Sequence, residues 1–153
     1  PRTNNSGKIC HSIAKLFCFT VLVMLIACDK EEIISTERLP EPAQEFIQKY
    51  FSDSNILQVK YEKDGREKRY NVLFNSGNRI EFYKSGEWKD IECIASEVPN
   101  EIIPQTINNF VQNNHPGQKI IKIEKEKRYI EIQLSNDIEI RFNKSYTFIG
   151  YDD

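Results

Sequence analysis

Apolar residues along this 153-residue chain fall into three spacings, and each predicts a different element. A nearly unbroken apolar run comes first, from Leu16 to Ala27. It is short of the roughly 20 residues that a membrane-crossing helix needs. Next comes a helical stripe: Ala43, Phe46, Ile47, Tyr50 and Phe51 recur at i, i+3, i+4, i+7 and i+8. Ile103, Ile107, Phe110 and Val111 form a second such stripe. Pro104 is acceptable in a first helical turn, and His115-Pro116-Gly117 predicts the end of that helix. The third spacing is alternation. Ile56 and Val59, then Ile120 and Ile123, mark the first strand after each helix. Tyr70, Val72 and Phe74 precede the polar turn Asn75-Ser76-Gly77-Asn78, after which Ile80 and Phe82 resume. Ile130, Ile132 and Leu134 precede Ser135-Asn136-Asp137, followed by Ile138, Ile140 and Phe142. A period of two predicts strands with one buried and one wet face.

The stripes and alternations superpose on themselves at one offset. Val72 meets Ile132, Phe74 meets Leu134, Ile80 meets Ile140, Phe82 meets Phe142 and Trp88 meets Phe148. The chain is therefore read as two tandem repeats, residues 39–94 and 98–153, opened by Leu39-Pro40 and Val98-Pro99. Each repeat is expected to be an α-helix packed on an antiparallel sheet of about four strands, an α+β layer. A unit of about 60 residues buries too little surface to be robust alone. The short linker Ala95-Ser96-Glu97 is thus expected to hold the two units together, with their sheets side by side.

The N-terminal run has a different meaning. Arg2, Lys8 and Lys15 precede it, no acid occurs before Asp29, and small Ala27 sits directly before Cys28. Leu25-Ile26-Ala27-Cys28 resembles a lipobox. Residues 1–28 read as a lipoprotein signal, with Cys28 the residue that takes the lipid and becomes the membrane anchor. The chain opens on Pro1, so a start further upstream is expected. Residues 29–38 are polar and aperiodic and read as a tether. Within them Lys30-Glu31-Glu32 is either a charged spacer or an export signal like that of surface lipoproteins in the Bacteroidota.

Charge and cysteine usage narrow the picture. The chain has 21 Lys+Arg and 23 Asp+Glu, and losing the basic leader makes the mature part more acidic still. No basic face for nucleic acid is expected. The clusters Arg66-Glu67-Lys68-Arg69 and Lys125-Glu126-Lys127-Arg128 read as solvated hairpin tips. Cys10 and Cys18 leave with the signal, so Cys93 is expected to be a small buried apolar residue. Without disulfides the core alone must hold the domain.

With the repeat in hand, the chain resembles the PepSY-like proteins, related in fold to the β-lactamase inhibitor protein and common as secreted or lipid-anchored proteins of the Bacteroidota. The resemblance rests on Leu39-Pro40 through Phe51, Tyr70-Asn71-Val72-Leu73-Phe74, Ile80-Glu81-Phe82, Gly86-Glu87-Trp88, Val98-Pro99 and Ile102-Ile103-Pro104. One departure is Tyr146-Thr147-Phe148, which stands where the first repeat has Gly-x-Trp. The resemblance implies a tandem module with an open, protein-binding sheet face. It carries no catalytic residues.

The residues agree with that implication. No Gly-x-Gly-x-x-Gly, phosphate loop, His-Glu-x-x-His or Cys-x-x-Cys occurs. A Ser/His/Asp triad would need His115, which is expected to end a helix instead. Asp152-Asp153 reads as a tail with too few ligands for a metal. Glu81, Glu131 and Glu139 are expected to form cross-strand ion pairs with Arg79 or Arg141. The wet face should carry Asn71, Leu73, Arg79, Glu81 and Tyr83 in the first repeat. In the second it should carry Glu131, Gln133, Glu139, Arg141 and Asn143. Leu73, Arg79, Glu81, Tyr83 and Arg141 are the candidate binding residues. An aromatic beside an arginine is what a binding hot spot looks like. The reading is a lipid-anchored, non-catalytic envelope protein, with no cofactor and an envelope protein or peptide as partner. Two alternatives stay open: a small-molecule or glycan binder using Trp88 and Phe148, and a structural protein without a dedicated ligand.

Overall fold

The two helical stripes fold as α1 (Glu41–Tyr50) and α2 (Gln105–Asn114). In the computed structural model, which describes residues 30–152, each helix begins after a proline N-cap with φ −54°. Neither cap uses a side-chain hydrogen bond; proline's preset φ guides the entry instead. Residues 1–29, including Cys28, and Asp153 lie outside the described residues, so the signal and the lipid site do too.

The alternating segments form nine strands. These are β1 (Lys30–Ile34), β2 (Ile56–Asp64), β3 (Glu67–Phe74), β4 (Arg79–Tyr83), β5 (Trp88–Glu92), β6 (Ile120–Lys125), β7 (Tyr129–Leu134), β8 (Glu139–Asn143) and β9 (Phe148–Asp152). All pair antiparallel, in sequence order, in one sheet. Instead of two sheets merely lying side by side, β5 hydrogen-bonds to β6 through Asp90↔Glu124, Ile91↔Ile123 and Glu92↔Lys122.

Registers across the strands align the apolar positions into rows. One row runs Ile34, Val59, Val72, Ile80, Ile91, Ile123, Ile132, Ile140 and Tyr151. From Val59 to Ile140 it is essentially inaccessible to water. Both helices cover this face. Phe46 of α1 meets Phe82 edge-on at 5.8 Å, and Phe110 of α2 meets Phe142 edge-on at 5.3 Å. Edge-to-face rings of this kind add to the area they bury.

The tether expectation needs correction. Residues 30–34 are the edge strand β1, and Thr36–Arg38 form a 3-10 turn. Polar composition masked the strand, since Lys30, Glu31 and Glu32 are exposed and only Ile34 reaches the core, at 8% exposure. Covering the edge of β2 is the physical gain, because β2 would otherwise leave its backbone groups unpaired.

The last hairpin turn keeps its geometry despite losing the glycine. Gly86 has φ +87° and Tyr146 φ +62°. Gly86 N–H donates to Tyr83 O, and Tyr146 N–H donates to Asn143 O. The Asn143 side chain accepts from Ser145 and Thr147 N–H, which supports the turn that tyrosine adopts at some cost. Gly86 has a second constraint. A Cβ there would lie 3.0 Å from Pro40 Cβ and 3.1 Å from Ala43 N, at the start of α1. Gly86→Ala is expected to lose about 2–4 kcal/mol, combining left-handed strain with overpacking. Gly65→Ala, with nothing within 4 Å of its Cβ, is expected to lose only about 1–2 kcal/mol. Urea midpoints of the two variants check the difference, and equal losses would show that the helix contact contributes nothing.

Candidate functional site

Alternation sends every second side chain of the sheet away from the helices, and those side chains build the open face. Its central row runs Ile33, Lys60, Asn71, Glu81, Asp90, Glu124, Glu131, Arg141 and Gly150, one residue from each strand. Four consecutive members are carboxylates, from β4 to β7. Cations from flanking positions interleave with them. Arg69 is 3.1 Å from Glu81, Lys89 is 2.9 Å from Glu124, and Lys122 is 3.0 Å from Glu124. Burial alone would raise the Glu124 carboxyl, but hydrogen bonds from Lys89 and Lys122 hold it well below the usual range. Asp90 has the weaker support. Its Oδ1 is buried without a hydrogen bond, and Lys122 is 4.0 Å away. Burial, with Glu124 and Glu81 on either side, pushes its carboxyl up to about 6.

A cleft of about 390 Å³ opens on the first half of this face. Leu73 lies in its lining, with Gln58, Lys60, Asn71, Arg79 and Glu81 around it. Two ion pairs flank it. Lys60 donates to Glu31 at 2.8 Å, and Arg79 Nε donates to Glu92 at 2.9 Å. Each cationic head is exposed enough to exchange partners, and such exposed pairs contribute little to stability.

Of the five candidate residues, Leu73, Arg79 and Glu81 meet at this cleft. Tyr83 does not stand exposed, and the arginine opposite it is Arg69 of β3, not Arg79. It is half-buried, and its hydroxyl donates to Lys125 O of β6 at 3.2 Å, with burial raising the phenol. The second half of the chain covers it. Arg141 is on β8, four strands from β4 and so about 19 Å away. There it ion-pairs with Glu131 at 2.6 Å and with Asp152. The Arg141–Glu131 pairing follows the sequence expectation. Glu81 instead takes Arg69 and Lys89 as partners, while Arg79 takes Glu92.

Sequence reasoning missed Gln58 and Lys60 in the cleft, and Lys89, Asp90, Lys122 and Glu124 in the central network. Register irregularities within Ile56–Gln58, Ile120–Lys122 and Glu81–Phe82 of the pairings break the alternation there. Alternation of Ile91 with Asp90 and Glu92 was the available signal.

Other reactive groups have structural positions. Cys93 is fully buried, as its composition suggested, and burial pushes its thiol up to about 11, away from nucleophile chemistry. His115 caps α2 and shares a 3.1 Å hydrogen bond with the Tyr151 hydroxyl. Asp152 belongs to β9 rather than to a loose tail. Its carboxylate lies within 4.8 Å of those of Glu131 and Glu139. The guanidinium of Arg141 already supplies a cation to two of these three.

Comparison with known proteins places this geometry in context. A family model described as "putative beta-lactamase-inhibitor-like, PepSY-like" matches residues 68–150. A solved Bacteroides thetaiotaomicron protein, described as a "putative calcium-regulated periplasmic protein", is 38% identical, with a TM-score of 0.78. The match covers 80% of this chain and 97% of that one. A Bacteroides vulgatus "putative periplasmic protein from DUF2874 family" is 36% identical, with a TM-score of 0.79 and coverages of 82% and 99%. A second B. vulgatus protein, described as periplasmic and of unknown function, is 32% identical, with a TM-score of 0.78 and coverages of 81% and 100%. No curated protein matches the chain.

Proposed function

Because the chain belongs to the PepSY-like, β-lactamase-inhibitor-like family, we propose that it is a lipid-anchored, non-catalytic envelope protein whose open sheet face binds a protein or peptide. The observation that carries this reading is the cleft around Leu73. It combines an apolar contact with exposed ion-paired heads and lies on the face opposite the helices. A protein segment can place an apolar side chain on Leu73 and exchange its own charges with Arg79–Glu92 or Lys60–Glu31. Anchoring at Cys28 is supported by the Leu25–Cys28 pattern, and an envelope location by the periplasmic description of the relatives. The same reading takes residues 39–94 and 98–153 as tandem copies. Supporting it, Val72↔Ile80 and Ile132↔Ile140 pair alike, and so do Phe82↔Trp88 and Phe142↔Phe148.

A stacked-sugar site using Trp88 and Phe148 finds no support. The two rings belong to β5 and β9. Trp88 has Lys125 Nζ 3.6 Å over its ring, and Phe148 stacks on Phe110 at 4.7 Å. The calcium named for the B. thetaiotaomicron relative is not carried over, since Arg141 already occupies the nearest carboxylate cluster.

Capture from solubilised envelopes tests the binding reading. The wild-type chain is expected to retain a partner that Leu73→Asp and Arg79→Ala lose at least tenfold, while Asn136→Ala in the β7–β8 turn does not. Equal recovery by all four would remove the cleft as the binding site.

A further inference from the structure

The sheet has two outer edges, and they are treated differently. β1 carries Lys30, Glu31 and Glu32, the kind of charged residues that keep an edge strand from pairing with other chains. β9 carries Phe148, Ile149, Gly150, Tyr151 and Asp152, without any cation. Its Ile149 and Tyr151 are 55% and 51% exposed, and Phe148 is 39% exposed. Tyr146, in the preceding turn, is exposed as well. Among the described residues β9 has no partner on its outer side, and a strand edge with this much apolar surface is a template for another strand.

The chain itself shows what such an edge accepts. β5 and β9 have the same register against their inner neighbours. Ile80↔Ile91 and Phe82↔Trp88 on one side correspond to Ile140↔Tyr151 and Phe142↔Phe148 on the other, each with an irregularity at the same place. The outer edge of β5 receives β6, antiparallel, through three residues. Ile123 lies opposite Ile91, and Lys122 lies opposite Glu92. Tyr151 and Asp152 hold the corresponding places on β9, apolar and acidic in the same order.

We propose that the outer edge of β9 binds an extended segment of another polypeptide by strand addition, antiparallel, with an apolar residue opposite Tyr151 and a lysine or arginine opposite Asp152. Backbone pairing supplies the affinity in this mode, and alternate side chains supply the selectivity. The charge pattern selects the basic residue. Among the described residues, the carboxylates of Glu131, Glu139 and Asp152 lie together at this corner and Arg141 is the one cation ion-paired there, to Glu131 and Asp152. A second copy of the chain paired through its own β9 lacks that residue, because β9 has no cation to set against Asp152. The surface is separate from the Leu73 cleft, so the two readings stand or fall independently.

A labelled peptide with the sequence of residues 118–125, Gln-Lys-Ile-Ile-Lys-Ile-Glu-Lys, is the probe, titrated by anisotropy onto the full chain. Saturable binding is expected, weakened at least tenfold by Tyr151→Asp and by Asp152→Lys in the chain. Replacing the lysine at peptide position 122 by glutamate should abolish binding to the wild type and restore it to Asp152→Lys. Arg66→Ala, exposed in the β2–β3 turn, should bind like the wild type. Unchanged Trp88 fluorescence verifies that each variant is folded. Binding no stronger than that of a scrambled peptide, or binding indifferent to Asp152→Lys, would overturn the proposal. So would a dimer in sedimentation that Ile149→Lys dissolves, which would assign the edge to self-association.

Discussion

Replacing Phe142 by alanine is expected to destabilise the whole nine-stranded sheet by about 3–5 kcal/mol, the usual cost of emptying a phenylalanine site in a core. Phe142 is fully buried, and it lies edge-on to Phe110 of α2 and opposite Phe148 of β9. A domain's entire margin is about 5–15 kcal/mol, so a large part of it is at stake. The informative point is where the loss is seen. The chain's one tryptophan, Trp88, lies three strands away on β5. Because Ile91 and Ile123 pair directly inside one continuous apolar row, the two halves should unfold together. Trp88 fluorescence and far-ultraviolet circular dichroism are then expected to report one urea midpoint, lowered equally in Phe142→Ala. If the Trp88 transition keeps its wild-type midpoint while the dichroism splits in two, the β5–β6 seam does not couple the halves.

The second large effect is at that seam. Asp90 lies between Glu81 and Glu124 on the neighbouring strands, with one carboxylate oxygen buried and without a hydrogen bond. Its folded-state pKa, about 6, exceeds the reference value of 3.8. Between those values the folded chain binds a proton that the unfolded chain does not. The contribution of Asp90 therefore favours folding as pH falls through 6, is fully present below about 3.8, and is lost as pH rises. One pKa unit corresponds to about 1.4 kcal/mol, so the ceiling is about 3 kcal/mol, and partial exposure with Lys122 nearby reduces it to about 1–2 kcal/mol. Asp90→Asn is expected to gain that amount at pH 7.5 and to gain almost nothing at pH 4. Urea titrations of both proteins at pH 7.5, 6, 5 and 4 check this through their difference. A variant no more stable than the wild type at pH 7.5 would mean that Lys122 neutralises Asp90 fully.

Legibility in the sequence followed the strength of burial. Val72, Phe74, Ile80 and Phe82, with Ile132, Leu134, Ile140 and Phe142, announced their strands because each alternates without interruption and is buried. Ala43, Ile47, Ile107 and Val111 announced the helices for the same reason. β1 was not legible, since an edge strand buries one face weakly and fills the rest with charge. Register irregularities hid Lys60 and Lys89. Ion-pair partners were half legible: Arg141 and Glu131 sit on paired strands joined by a short turn, whereas the choice of Glu92 over Glu81 by Arg79 depends on β5.

The sequence by itself determined the two helices, the strongly alternating strands with the face each buries, and the separation of apolar from polar surface. Those follow from periodicity, which is local and needs no knowledge of the neighbour. Only the tertiary structure decided which strands meet. The joining of β5 to β6 covers Tyr83, crowds Asp90 and makes one sheet of two halves, and the absence of a counterpart for β9 among the described residues leaves its apolar edge open. Pairing between distant strands is set by backbone hydrogen bonds and by how the whole core closes, and no single stretch of the chain encodes that.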